Sequence, residues 1–395
     1  MNAQHIAENE SFVDDIFQKP PSHGVQTKLK LDFQPWHKPR KQYVRKKQWI
    51  GEIEKLVNKL RDSTSLKYLS LPGKSMIDVR CVHRWCMEKK INLKYLGYND
   101  PNDPTDPSDA ELNLSVAELA LREYIDKNSE VVTDRFEKIG DRNSLAYRKM
   151  IEAGPFDVIN IDLCNGIAKP IPLNEQDDYY NAIYEMIQFQ KTHRNEPWLL
   201  FITTRTDEQN VSVGASWKLY ESIEGNAQKF ESFRKLLLEN LKIQCSPVTD
   251  PSVRSKKYMG MQYRNLVSLG FGKWLLGLLF NGQPKWRLQM LDSVEYTINH
   301  RNISPDMISL AFECSMIIEP PNDNIRFTNN TFENRQLSEE IYALDLIGNV
   351  NSIKDIDVTL AGDQVLLQIL IEESATLMSD ARFDGEAYKK WAASL

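Results

Sequence analysis

Short apolar runs alternate with segments whose apolar residues recur every three or four positions, and this rhythm organises the middle of the chain. Residues 66–71 alternate apolar and polar side chains, the period of a strand, and stop at Pro72-Gly73. A helix is predicted over 75–90. Next comes a strand, INLKYLGYND, that runs into the Pro/Asp-rich loop PNDPTDPSD. Helical spacing returns over 114–127 through Val116, Leu119, Ala120 and Tyr124. The pattern then predicts strand 130–134, helix 144–153, strand 156–163, helix 177–193 and strand 198–203. This strict β-α order argues for a parallel sheet with helices on both faces. The nearly unbroken apolar runs VINID and WLLFIT fit central strands buried on both sides.

After Thr204 the rhythm breaks. Residues 205–260 read as an insertion with one clear helix, through Phe230, Phe233, Leu236, Leu237 and Leu241. An apolar helix over 266–280 resumes the layer. It is short for a membrane span and carries Lys273, so it reads as buried. Two strand-like runs, 287–299 and 307–318, are joined by HRNISPD, short enough for an antiparallel hairpin. The expected sheet has seven strands, with only the last antiparallel.

Two flanks differ in texture. Residues 1–62 form a polar tail, a basic and aromatic arm, and a helix with Ile50, Ile53, Leu56, Val57 and Leu60 on one face. Residues 319–395 begin as a loop rich in Asn and Pro. They end in one or two helices between 362 and 395, anchored by VLLQILI. The expected organisation is therefore 1–62, 63–318 and 319–395.

Composition narrows the class. The 395 residues are 41% apolar and 26% charged, the balance of a globular protein. Met1 to Asp15 is polar and acidic, without the basic and apolar regions of a leader, and a cytoplasmic setting with no membrane association is expected. Five scattered cysteines agree with a reducing compartment. A formal charge of −6 gives no general attraction to nucleic acid, so any such contact must be local.

One such local signal exists. Lys38, Arg40, Lys41, Arg45, Lys46 and Lys47 are interleaved with Trp36, Tyr43 and Trp49. Cations neutralise phosphates and aromatic rings stack on bases, so nucleic acid is one expected partner. The competing reading is a surface that docks on the sheet or on a partner protein. CVHRWC (Cys81, His83, Cys86) lacks a second ligand pair and lies on a predicted helix, so it reads as core packing rather than zinc. Cys164 sits at a strand end with no local base, which gives a cysteine nucleophile little support.

Five α/β units followed by a hairpin resemble the class I S-adenosylmethionine-dependent methyltransferases, over residues 66–318. PWHKPRKQYVR, YLSLPG, YLGYND and FDVINIDLC together are similar to a group of bacterial methyltransferase-like proteins found near anti-phage and mobile-element genes. That resemblance implies S-adenosylmethionine as cofactor, nucleic acid as substrate, and other protein subunits as partners in a defence-type assembly. It places Gly73 in the turn where glycine lets the backbone approach the cofactor. It sets Asn99 at the acid that holds the ribose, with Asp100 one residue later, and Asp134 toward the adenine. It sets Asp162 and Asn165 at the catalytic end of the fourth strand. The sequence departs from the family here. Gly73 is the only glycine of its turn, Asn99 replaces an acid, and Leu163-Cys164 stand where amino-methyltransferases carry two prolines. A catalytically diverged relative is therefore expected, with an active enzyme as the alternative.

Overall fold

The computed structural model describes residues 29–100, 108–163, 166–167, 179–206, 211–245, 258, 260–298, 305–318 and 338–394. Its centre is one sheet in the order β3-β2-β1-β4-β5-β8-β7-β9, with β6 also paired to β8. The strands are β1 (Ser65–Ser70), β2 (Asn92–Asn99), β3 (Glu130–Thr133), β4 (Val158–Asp162), β5 (Trp198–Arg205), β6 (Trp286–Met290), β7 (Val294–Tyr296), β8 (Met307–Met316) and the two-residue β9 (Lys354–Asp355). The first five pair in parallel, and β8 runs antiparallel to β5, β6 and β7. The alternation predicts the parallel sheet, and its strand order is the methyltransferase-type Rossmann arrangement that the resemblance implies. The strand expected at 287–299 is divided: β6 and β7 pair with successive parts of β8, and β9 adds a short parallel edge.

Alternation along the strands sends residues to two cores. Leu69, Leu96, Ile159, Ile161, Leu200 and Ile202 face one side, and Tyr68, Tyr95, Val158, Leu199 and Phe201 the other. The first core is covered by α5 (Leu145–Ala153), α6 (Tyr179–His193), α7 (Val213–Lys229), α8 (Glu231–Leu241), α9 (Gly260–Phe280) and α10 (Glu339–Asn351). The second is covered by α3 (Ile77–Lys89), α4 (Ser108–Ala120), the N-terminal helix and the last three helices, α11 (Ile356–Gly362), α12 (Gln364–Asp380) and α13 (Gly385–Ala393). No described helix is long and apolar enough to cross a membrane.

The basic arm is helical. It starts as α1 (Pro39–Tyr43), continues as a π-helix over Val44–Ile50 and ends as α2 (Gly51–Val57). Val44, Trp49, Ile53 and Leu56 are buried on the sheet, with the Trp49 ring 6.3 Å from that of Phe201. Ahead of it, Lys30 is stitched to the C-terminal region: its amide donates to the Arg382 carbonyl at 2.9 Å, and the Asp384 amide donates to its carbonyl at 3.0 Å.

Several expected elements shift. The helix expected at 114–127 is α4, Ser108–Ala120, with Leu112, Ser115 and Leu119 buried. Tyr124 takes a left-handed φ of 59°, and Ile125 then bridges to Leu93, so the chain is no longer helical there. Among the described residues the insertion holds two helices, because Ser212 caps α7 by accepting from the Ala215 amide and Leu219, Tyr220, Ile223 and Ala227 are buried at helical spacing. Of VLLQILI, Leu370 and Ile371 are buried, but Val365 and Ile369 are exposed. Residues 1–28 and the loop 319–337 lie outside the described residues.

Candidate ligand cleft at the carboxyl edge of the sheet

Parallel strands release their loops on one side, and at a point where strand order reverses those loops diverge and leave a crevice. Here β1 is flanked by β2 and β4, and a cleft of about 1,090 Å³ opens over their carboxyl ends. The turn from β1 to α3 forms one wall. Pro72 lies across β2, which is possible because Gly97 has no side chain: a Cβ there would stand 2.8 Å from Pro72 Cγ. The Asn99 side-chain amide donates to the Pro72 carbonyl at 2.8 Å and fixes the turn. A Cβ on Gly73 would meet nothing within 4 Å, so the space beside it belongs to the cleft. Met76 closes the turn in the left-handed region, φ 48°, with its amide donating to the Gly73 carbonyl. For a buried non-glycine residue that conformation carries strain, held by the surrounding packing.

The floor is ionic. Asp78, in the first turn of α3, accepts from Arg45 Nε at 2.6 Å, and Asp162, at the end of β4, accepts from Lys41 Nζ at 2.6 Å. The two carboxyl groups also share a hydrogen bond. Lys41 Nζ lies 4.6 Å from the centre of the Trp49 ring, a cation–π contact. Burial and the neighbouring Asp78 push the Asp162 carboxyl up, with Lys41 opposing them. Burial also disfavours charge on Asp78, but Arg45 and Lys41 outweigh it and hold that carboxyl below its ordinary value. Beside them, burial and the Arg45 charge push His37 down to about 3, so it is neutral. Its Nδ1 accepts from the Gln34 amide at 3.1 Å.

Around the rim, Lys30 donates to Glu111 at 2.6 Å and to Ser75 at 3.0 Å, and Arg382 also donates to Glu111 at 2.6 Å. Beyond β3, Arg135, Phe136 and Glu137 line the cleft together with Tyr98 and Tyr179. The Phe136 and Tyr179 rings are stacked with centroids 6.2 Å apart, and Tyr179 hydrogen-bonds to Glu137. Exposed Trp36 edges the mouth.

A family model described as PP_RS20740-like matches residues 30–393. The chain belongs to that family. A solved structure, a putative class I S-adenosylmethionine-dependent methyltransferase from Listeria monocytogenes, is similar at 12% identity, covering 81% of this chain and 78% of its own, with a TM-score of 0.32. No curated protein matches.

Successive strand ends predict that Gly73, Asn99, Asp134 and Asp162 converge on one cleft; in this PP_RS20740-like chain Gly73, Asn99 and Asp162 line it, with Asp100 beside Asn99. Asp134 does not line it. Its Oδ1 accepts from the Arg135 amide at 2.8 Å, and Glu137 takes the place at the cleft wall. Asn165 and Cys164 lie outside the described residues. Cys81 and Cys86 are buried free thiols on α3, and His83 bonds to the Glu123 carbonyl.

The basic arm requires a correction. Lys38, Lys41, Arg45 and Trp49 are buried, so none presents its side chain to a phosphate or a base. Arg40 pairs with Asp357 at 2.9 Å and bonds to the Thr297 carbonyl, and Tyr43 is half-buried. Lys46 is about one-third exposed, 4.0 Å from Glu373, and Lys47 and Trp36 reach the surface. Sequence reasoning missed Lys30, Asp78, Glu111, Glu137 and Tyr179. One signal was available for Lys41 and Arg45: steps of four residues connect them through Trp49 to Ile53, which lies on the apolar stripe.

The residues fit one half of S-adenosylmethionine, the cofactor that the resemblance to class I methyltransferases implies. Aromatic rings and the acid Glu137 suit a base with an exocyclic amine, and exposed Asp100 can accept two ribose hydroxyls. The floor does not fit the charged amino-acid portion, because its carboxylates already hold the cations that such a group would recruit.

Proposed function

We propose that this protein is a catalytically diverged relative of the class I methyltransferases that binds a nucleoside at the carboxyl edge of its sheet. The observation that carries the reading is the 2.6 Å pair between Lys41 and Asp162. An acid that positions a substrate amine must offer a vacant acceptor. This one is bonded to a lysine on a helix whose neighbours are core residues, and to Asp78. The cleft itself is roomy enough, since small-molecule sites run on the order of 300–1,000 Å³. Calorimetric titration with S-adenosylhomocysteine and 5′-methylthioadenosine, beside a radiolabel assay with S-adenosylmethionine, RNA and DNA, tests the reading. The expected result is saturable binding of a nucleoside without label transfer. Multiple-turnover methylation that survives Lys41→Met would refute it.

The second reading is an active S-adenosylmethionine-dependent enzyme on nucleic acid. It is favoured by Trp36, whose side chain is 44% exposed at the mouth of the cleft, where a base can stack. Label transfer to nucleic acid that falls in Trp36→Ala would select it.

A further inference from the structure

We infer that the cleft selects a neutral nucleoside over the same nucleoside carrying a zwitterionic amino-acid tail. The inference rests on the nucleoside-binding reading and assigns its specificity. It follows from how the charges around the cleft are matched. Arg45 pairs with Asp78, Lys41 with Asp162, and Lys30 and Arg382 both with Glu111, each at 2.6 Å. Arg135 lies 3.5 Å from Glu137 on the base side. Lys74, the remaining lining cation, stands exposed on the turn and has interactions of its own.

A helix N-terminus facing such a cleft favours an anion. In this chain the anion is built in: Asp78 sits in the first turn of α3 and also takes the Arg45 guanidinium. A ligand carboxylate brought here would displace Asp78 from Arg45 and leave a buried carboxylate without its cation. A ligand ammonium would compete with Lys41 for Asp162 and strand a buried lysine. Leaving one member of a buried pair unmatched is costly, whereas leaving the pairs intact is not. A neutral thioether or hydroxyl tail disturbs neither pair. The base and ribose still have Phe136, Tyr179, Glu137 and Asp100.

The test compares two probes that share adenosine and sulfur and differ in the amino-acid tail: 5′-methylthioadenosine and S-adenosylhomocysteine. Each is titrated calorimetrically into the full chain. The expected result is that 5′-methylthioadenosine binds at least as tightly. Glu111→Gln, which releases Lys30 at a half-buried position while Arg382 keeps its pair with Glu118, should shift the affinity ratio toward S-adenosylhomocysteine by roughly threefold or more, the scale of a part-exposed ion pair. A melting curve of the variant confirms that it is folded. S-adenosylhomocysteine binding more than roughly threefold tighter to the unmodified chain would overturn the inference and leave the nucleoside reading standing. An unchanged ratio in folded Glu111→Gln would overturn the charge-matching argument. Absence of binding by both probes would overturn the nucleoside reading as well.

Discussion

Lys41→Met is the sharpest perturbation of the cleft floor. The Lys41 side chain is 4% exposed and Asp162 16%, so solvent screens the pair weakly. Methionine keeps much of the side chain's volume and its contact with Trp49, but removes the charge. Two hydrogen-bonded carboxyls then share one cation, Arg45. Removing one partner of a buried pair costs about 3–5 kcal/mol. The deficit should depend on pH with a defined sign. Lys41 opposes the upward shift of Asp162, so its loss raises that carboxyl further in the folded state. A carboxyl with a raised folded value destabilises the fold when it must ionise, and the penalty disappears as pH falls through that value. Asp78 acts oppositely, since its lowered folded value stabilises the fold at neutral pH and that contribution is lost only in acid. Urea unfolding of wild type and variant at pH 8, 7, 6 and 5 should therefore show the gap narrowing toward pH 5. Lys41→Met with Asp162→Asn should recover part of the loss, since the second change removes the stranded carboxylate. A gap below about 1 kcal/mol at pH 7, the range of exposed pairs, or one independent of pH, would refute the argument.

Three further outcomes are expected. Trp49→Ala should destabilise by about 3–5 kcal/mol, seen as a lower melting temperature, because the ring is 1% exposed against Phe201. Gly97→Ala should cost about 1–3 kcal/mol in urea unfolding and weaken nucleoside binding in calorimetry, since its Cβ would push Pro72 off β2 and displace the turn. Lys46→Ala with Lys47→Ala should flatten the salt dependence of any DNA retention by at most about two contacts' worth, about 0.9 each in log–log slope on duplex DNA, because the other cations of the arm are buried or paired.

The strand order was legible because burial on both faces writes continuous apolar runs. VINID and WLLFIT became β4 and β5, and the runs on either side of HRNISPD do pair antiparallel, as β7 and β8. The phase of α4 was legible only in part: of the stripe Val116, Leu119, Ala120 and Tyr124, Leu119 is buried and Val116 partly so, but packing buries Leu112 and Ser115 instead of Ala120. The cleft's place was legible from the strand ends, but its chemistry was not. Lys41 and Arg45 find partners 121 and 33 residues away, and a local reading of charge density cannot see carboxylates delivered by other strands and helices. Met76 was hidden for a related reason: its left-handed backbone is imposed by the turn around it and nothing in its side chain announces it.

The π-helical stretch Val44–Ile50 sets the rotational phase of everything before it. Steps of four residues drift around an ordinary α-helix, which closes a turn in 3.6. Wider π turns reverse that drift, so Lys41, Arg45, Trp49 and Ile53 can share one line. Removing a single residue there, the exposed Lys47 for instance, would let the stretch close into continuous α-helix and deliver α1 rotated by about 100°. Lys41 would swing away from Asp162 while Trp49 kept its seat on the sheet. The distance along the chain between cation and tryptophan, more than either residue alone, thus determines whether the Asp162 carboxyl is paired.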